Sequence, residues 1–175
     1  MTQQELVEKV KASIPAGSIG RYDLLPLFAK ADLFAEIVKY FAAIYIGKLD
    51  YIASPEATGW ILGAALAREL DIGFIALRKG GRLPYPPTSI SSVKYFDYSG
   101  VEKSLELATG SLNAGSKILI ADEWIETGSS IRGCIKLLEK QNCIISGLAT
   151  IGIDYTDNTK QWVDTGFVSF VGMDI

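Results

Sequence analysis

Asp122 and Glu123 stand side by side at the end of a four-residue apolar run, Ile118 to Ala121. Trp124, Ile125 and Glu126 follow, and then the turn-like string Thr127-Gly128-Ser129-Ser130. Adjacent carboxylates at a strand end can accept hydrogen bonds from two vicinal hydroxyls, such as those of a ribose. Three hydroxyls and a glycine that lets backbone N–H groups converge suit an anion instead, and a helix starting directly behind them adds its positive end. Acids for a sugar and donors for a phosphate, this close in the chain, point to a ribose 5-phosphate site. The plainer alternative is an ordinary strand-to-helix turn capped by Thr or Ser, but capping alone does not require the acid pair.

A second group of charges lies at Arg78, Lys79 and Arg82 around Gly80-Gly81. It reads either as an anion-seeking loop or as a solvated basic turn. Gly59 and Gly63, four residues apart, would share one helix face, where close packing on a sheet is the simplest use for them.

These residues need a scaffold, and the pattern around them supplies one. An apolar run, a polar loop and the amphipathic stretch Ile131 to Leu138 form a strand, a turn and a helix. In open α/β sheets the carboxyl ends of strands bind ligands. Upstream, residues 2–14 read as an amphipathic helix bearing Leu6, Val7, Val10 and Ile14. A longer helix, capped by Asp32, runs to about Ile46. Strands are expected at Asp50 to Ala53, Phe74 to Leu77, Cys143 to Ile153 and Trp162 to Phe170, with a helix from Trp60 to Leu70. Residues 85–108 read as a long loop and hairpin over the site, a lid of the kind that excludes water. The expected fold is α/β, a doubly wound and mainly parallel sheet of about five strands. It is expected to form one domain over residues 1–175, with a small N-terminal hood (1–30) and a flexible lid (85–108).

Composition narrows the function. The chain has 175 residues, 49% of them hydrophobic and 21% charged, with a net charge of −3. Such a chain buries a substantial core and lacks the basic face of a general nucleic-acid binder. No apolar run suggests a membrane span and the N-terminus does not read as a signal peptide, so the cytoplasm is the expected location. Cys134 and Cys143 show no metal or redox spacing and read as buried thiols. The chain has no histidine, which removes Ser-His and Cys-His nucleophilic mechanisms and every His-ligated metal site. Any general acid or base must be a carboxylate, Lys, Tyr or the substrate itself.

Residues 118–130 resemble the phosphoribosyl-diphosphate (PRPP) signature of the type I phosphoribosyltransferases. That signature reads four hydrophobics, two acids, two hydrophobics, a variable residue and Thr-Gly-x-Thr/Ser. Here Glu123 replaces the second Asp, and Glu126 takes a position that is usually small. Arg78 to Pro84 is similar to the Arg-Lys-x-Gly-Lys-Leu-Pro string of the adenine branch. Glu56-Ala57-Thr58-Gly59 resembles its pyrophosphate loop, with Thr58 where an Arg is usual, and Asp97-Tyr98 resembles the Glu-Tyr pair of its lid. The resemblance covers roughly residues 15–155, with the motifs in the family's order.

The resemblance implies transfer of ribose 5-phosphate from Mg²⁺-bound PRPP to a nucleobase, adenine first, with release of pyrophosphate. It places Asp122 and Glu123 on the ribose, and on Mg²⁺ indirectly through water or the ribose. Glu126, Thr127, Gly128, Ser129 and Ser130 would surround the ribose and 5′-phosphate. Glu56, Ala57, Thr58, Gly59, Arg78, Lys79 and Arg82 would face the pyrophosphate. Asp97 and Tyr98 would be the catalytic pair, Asp97 handling the proton of the base, although Tyr98 could equally belong to the hairpin core. Arg21, Ile151 and Ile153 would contact the base. The resemblance further implies a homodimer, while the charge and the lack of a long apolar run predict no nucleic-acid or membrane partner. Two alternatives stay open: a transferase for a different nucleobase, and a non-catalytic PRPP- or nucleotide-binding regulatory protein of the same fold.

Overall fold

The computed structural model describes residues 2–15, 22–97 and 99–173. The chain opens with α1 (Gln3–Lys11), held by a capping box in which Thr2 and Glu5 exchange side-chain and backbone hydrogen bonds. After α2 (Leu25–Phe28) comes α3 (Ala31–Tyr45). Leu33, Ile37, Val38, Phe41 and Tyr45 form its buried stripe. The helix begins one residue earlier than its expected cap: Lys30 is the N-cap without a side-chain bond, and Asp32 lies inside the first turn. There its charge still favours the positive helix end.

Next come β1 (Tyr51–Pro55), α4 (Gly59–Glu69) and three strands in succession, β2 (Gly73–Lys79), β3 (Ile90–Phe96) and β4 (Glu102–Ala108). They continue with β5 (Lys117–Ile125), α5 (Ser129–Glu139), β6 (Ile144–Ile153), α6 (Lys160–Asp164) and β7 (Val168–Met173). The sheet order is β3-β4-β2-β1-β5-β6-β7. The five strands from β2 to β7 in that order are parallel, whereas β4 pairs antiparallel with both β2 and β3. The expected hairpin therefore continues the sheet, joined to β2 at Arg78↔Glu106 and Lys79↔Leu105.

Period-two alternation divides the apolar residues between two cores. Leu119 and Ala121 of β5 join α1, α3 and α4 on one face, while Ile118 and Ile120 meet α5 and α6 on the other. Cys134 and Cys143 are free and buried, as their apolar surroundings suggested. Among the described residues no helix is long and apolar enough to cross a membrane.

One element differs in kind. Trp162 to Phe170, expected as a single strand, is divided into α6 and β7. Gly166 stands between them at φ +69°, and the N–H of Phe167 returns to the Trp162 carbonyl (2.9 Å). That left-handed glycine ends the helix and frees the strand to start after it. Topologically, the chain runs from β1 outward to β2 and returns across β1 to β5. The ends of β1 and β5 thus flank the point where strand order reverses, the usual ligand crevice of such sheets.

Candidate active site

A cavity of about 310 Å³ opens at that crevice. Its walls are the β1–α4 loop, the end of β2, the hairpin, the β5–α5 segment and Tyr22 from the N-terminal region. Asp122 to Ser130 line it without a break, as do Glu56 to Gly59, Lys79 and Asp97. The structure therefore gathers most of the predicted residues around one space.

Asp122 accepts the N–H of Glu123 (3.0 Å), which braces the acid pair. Oε2 of Glu123 is buried and has no partner among the described residues. A buried acceptor left unpaired is costly, which suits an oxygen that a ligand hydroxyl or a metal-bound water completes. Gly59 begins α4 beneath these acids, and a β-carbon there would lie 2.6 Å from Oδ1 of Asp122. Gly63, by contrast, lies against Ser54 and Phe74 and serves close packing on the sheet. Gly59→Ala is accordingly expected to displace the Asp122 carboxylate and lower kcat/KM for PRPP about 10- to 100-fold. Its Tm should hold or rise, because Ala favours a helix. Unchanged kinetics would remove Gly59 from the site.

The anion turn follows. Gly128 adopts φ 72°, a left-handed conformation, as N-cap of α5, and the first-turn N–H groups of that helix face the loop. Thr127 and Ser129 hydroxyls are 3.0 Å apart. Behind the turn, Arg132 donates to the carbonyls of Thr127 (2.6 Å) and Asn158 (2.9 Å), and its guanidinium lies 5.2 Å from the Trp162 ring. A β-carbon on Gly128 would meet that same ring at 2.7 Å. Glu126 lines the cavity between Ile125 and Thr127.

The basic loop is organised differently from expectation. Glu56 accepts hydrogen bonds from Arg78 Nε (3.1 Å), from the Lys79 N–H (3.0 Å) and from Arg82. Arg78 also stacks 5.3 Å from the Trp60 ring. An internal carboxylate thus holds both arginines, while Lys79 lines the cavity. Burial raises the Glu56 pKa, but the Lys79 N–H and the two guanidiniums outweigh it and hold the carboxyl below its usual range. Thr58 lines the cavity at the N-cap of α4 and makes no capping bond.

Glu56→Gln is expected to lower Tm at neutral pH, since charge-assisted bonds become neutral ones. With its folded pKa depressed, Glu56 contributes fully above the ordinary carboxylate pKa of about 4.3. That contribution is lost as pH falls through the lower folded value. Calorimetric Tm values of wild type and variant should therefore converge in acid; a gap independent of pH would contradict this role.

Asp97 lines the cavity, but its Oδ1 accepts from the Ser99 N–H (2.9 Å), the Ser99 hydroxyl (2.6 Å) and the Val101 N–H (3.2 Å). Lys103 pairs with Oδ2. The Lys103 ammonium, with the Ser99 hydroxyl next, holds the Asp97 carboxyl well below the usual carboxylate range. A carboxylate so stabilised is a weak proton acceptor. These bonds lock the turn between β3 and β4 and leave Asp97 on the cavity wall.

The other expected residues stand away from the cavity or outside the described residues. Ile151 and Ile153 are both 0% exposed and packed within the two hydrophobic cores. Neither lines the cavity. Arg21 and Tyr98 lie outside the described residues.

The sequence reading missed the aromatic wall. Trp124 lines the cavity, with the Tyr22 ring 4.5 Å away at 46°. Its indole N–H donates to Asp154 (2.8 Å). Trp124 sits in the signature's two-hydrophobic slot, where any apolar residue satisfies the pattern, so nothing local marked it. The brace formed by Arg132 and Trp162 joins residues far apart in the chain.

Comparisons with known proteins agree with this geometry. The family description "Phosphoribosyl transferase domain" matches residues 25–167. The chain is 30% identical over 167 residues to an adenine phosphoribosyltransferase of Bordetella parapertussis, covering 93% of this chain and 85% of that one. It is 34% identical over 138 residues to an adenine phosphoribosyltransferase of Maridesulfovibrio salexigens, covering 78% and 79%. The crystal structure of adenine phosphoribosyltransferase from Thermoanaerobacter pseudethanolicus superposes with a TM-score of 0.83 at 27% identity, over 95% of this chain and 99% of that one.

Proposed function

This chain belongs to the phosphoribosyltransferase family, and from that premise we propose that it transfers the ribose 5-phosphate of PRPP to adenine and releases pyrophosphate. The observation that carries this reading is the acid pair, anion turn and aromatic wall around one cavity at the strand-order switch. The choice of adenine rests on the names of the relatives that match most of the chain.

In this mechanism the bond from ribose C1 to the pyrophosphate oxygen breaks as a ring nitrogen of the base bonds to C1. Positive charge develops on the ribosyl group and negative charge on the leaving diphosphate. Asp122 and Glu123 hold the ribose hydroxyls and lie close to the cationic ribosyl group, which carboxylates stabilise. Thr127 to Ser130 and the α5 N-terminus hold the 5′-phosphate. Lys79 faces the diphosphate from the cavity wall, backed by the Glu56-bound arginines. The adenine ring stacks on Trp124 beside Tyr22. Its proton leaves to solvent or substrate rather than to Asp97, whose carboxylate is already stabilised by Ser99 and Lys103.

Mg²⁺ is part of the proposal. Among the described residues no group of three or more His, Cys, Asp or Glu side chains could cage it. Mg²⁺ commonly needs only one or two carboxylates with water and phosphates, and the Glu123 oxygen that has no partner among the described residues fits that donor set. Asp122 and Glu123 would hold the ion through water or the ribose, and when bound it neutralises charge on the diphosphate. A homodimer acting in the cytoplasm completes the reading.

A second reading is a PRPP-binding protein without turnover. Thr58 favours it, as does the grip of Glu56 on Arg78 and Arg82. Pyrophosphate release from PRPP and Mg²⁺ with each nucleobase, alongside calorimetric PRPP binding, separates the two. Turnover with adenine is expected. Binding without turnover on any base would establish the second reading.

A further inference from the structure

The Trp124 indole is mounted with more care than a core tryptophan requires. In the β5–β6 register it lies opposite Gly152, where a β-carbon would stand only 2.0 Å from the indole ring. The missing side chain makes room for the ring over β6. The indole N–H is fixed by Oδ1 of Asp154 (2.8 Å). Asp154 is itself held through its backbone: its N–H donates to the Ile125 carbonyl (2.9 Å), and its carbonyl accepts the Thr159 hydroxyl. Asp154 does not line the cavity. A charged acceptor on a rigid mount, outside the cavity but bonded to a ring that lines it, fixes the plane of that ring.

We propose that Asp154 is a positioning residue for the nucleobase, acting through Trp124 by holding the indole as a preset stacking platform. This rests on the reading that the base stacks on Trp124. Its N–H being engaged by Asp154, the indole offers the base a π face and no hydrogen bond. The platform therefore contributes affinity for a planar ring, and selection among bases falls to other groups. Loss of Asp154 should leave the indole free to rotate, weakening the base while leaving the phosphate and pyrophosphate contacts intact.

Steady-state kinetics with adenine and PRPP test this on Asp154→Ala, Asp154→Asn, Trp124→Phe and the Trp124→Phe/Asp154→Ala double variant. Asp154→Ala is expected to raise KM for adenine about three- to tenfold, the scale of one aromatic stack. Its kcat and its KM for PRPP should stay near wild type. Asp154→Asn, which keeps an acceptor, should give a smaller rise. In the Trp124→Phe background the Asp154→Ala effect should vanish, because Phe offers no N–H to hold. Quenching of tryptophan emission by adenine should weaken in Asp154→Ala and be largely lost in Trp124→Phe.

An undiminished Asp154→Ala effect in the Trp124→Phe background would overturn the proposal, as would equal losses in kcat and both KM values. If Asp154→Ala does not fold, Asp154→Asn carries the same cycle, and an unchanged adenine KM in it overturns the proposal. Wild-type turnover is read first. Its absence with adenine overturns the function reading and this inference together, whereas turnover with an unshifted Asp154→Ala KM overturns the inference alone.

Discussion

An Asp122→Asn, Glu123→Gln double variant is expected to lose about 10³-fold or more in kcat/KM for PRPP while keeping its fold. The two carboxylates supply charge and acceptor oxygens where a cationic ribosyl group would form, and removing one such stabilising group typically costs about 10²–10³-fold. The amides keep the size of the side chains, and an amide oxygen at position 122 would still accept the backbone N–H that Asp122 accepts now (3.0 Å). The Glu123 oxygen that has no partner among the described residues makes no hydrogen bond there for an amide to remove. Tm should therefore stay within about 4 °C, the shift that ~1 kcal/mol brings in a chain of this size. Steady-state kinetics and a thermal melt on the same sample decide it. Activity within tenfold of wild type would mean that the acids do not face the reacting sugar.

The second large effect is expected at Arg132, which does not itself line the cavity. Its guanidinium ties the Thr127 carbonyl to the Asn158 carbonyl and stacks on Trp162. Hydrogen bonds from a charged donor are worth about 1.5–3 kcal/mol each, so Arg132→Ala removes much of what orders the anion turn. KM for PRPP is expected to rise about 10- to 100-fold, with a smaller change in kcat, because the loss falls on binding the 5′-phosphate. Arg132→Lys should recover little, since an ammonium cannot span two carbonyls and stack at once. A PRPP KM within twofold of wild type in Arg132→Ala would show that the turn keeps its shape without the brace.

The contrast between these two predictions marks what was legible. Asp122, Glu123 and the Thr127–Ser130 turn could be read directly, because a strand end, a tight turn and a helix start follow one another along the chain. Local order fixes their relative placement, so residue type and spacing carried the chemistry. The strands of β1, β2, β5 and β6 were legible for a similar reason: both faces are covered, so they read as short apolar runs between turns. The α6–β7 boundary was misread because the aromatic residues of Trp162 to Phe170 suit a strand, whereas the left-handed φ of Gly166 decides the break.

Other residues changed meaning only when distant segments met. Arg78 and Arg82 carry an anion-binding pattern, yet Glu56, more than 20 residues earlier, engages both. Asp97 has the type of a general base, yet the turn that follows it bonds its Oδ1 and Lys103 pairs with its Oδ2. Trp124 looked like one more apolar residue of a strand until Tyr22, Gly152 and Asp154 were placed around it.

By itself the sequence determined which acids and hydroxyls stand together and which strand end presents them, because those groups are neighbours along the backbone. Only the tertiary structure decided which charges face the cavity and which neutralise one another. Ion pairing and ring stacking depend on distances of a few ångströms between segments that the chain keeps far apart.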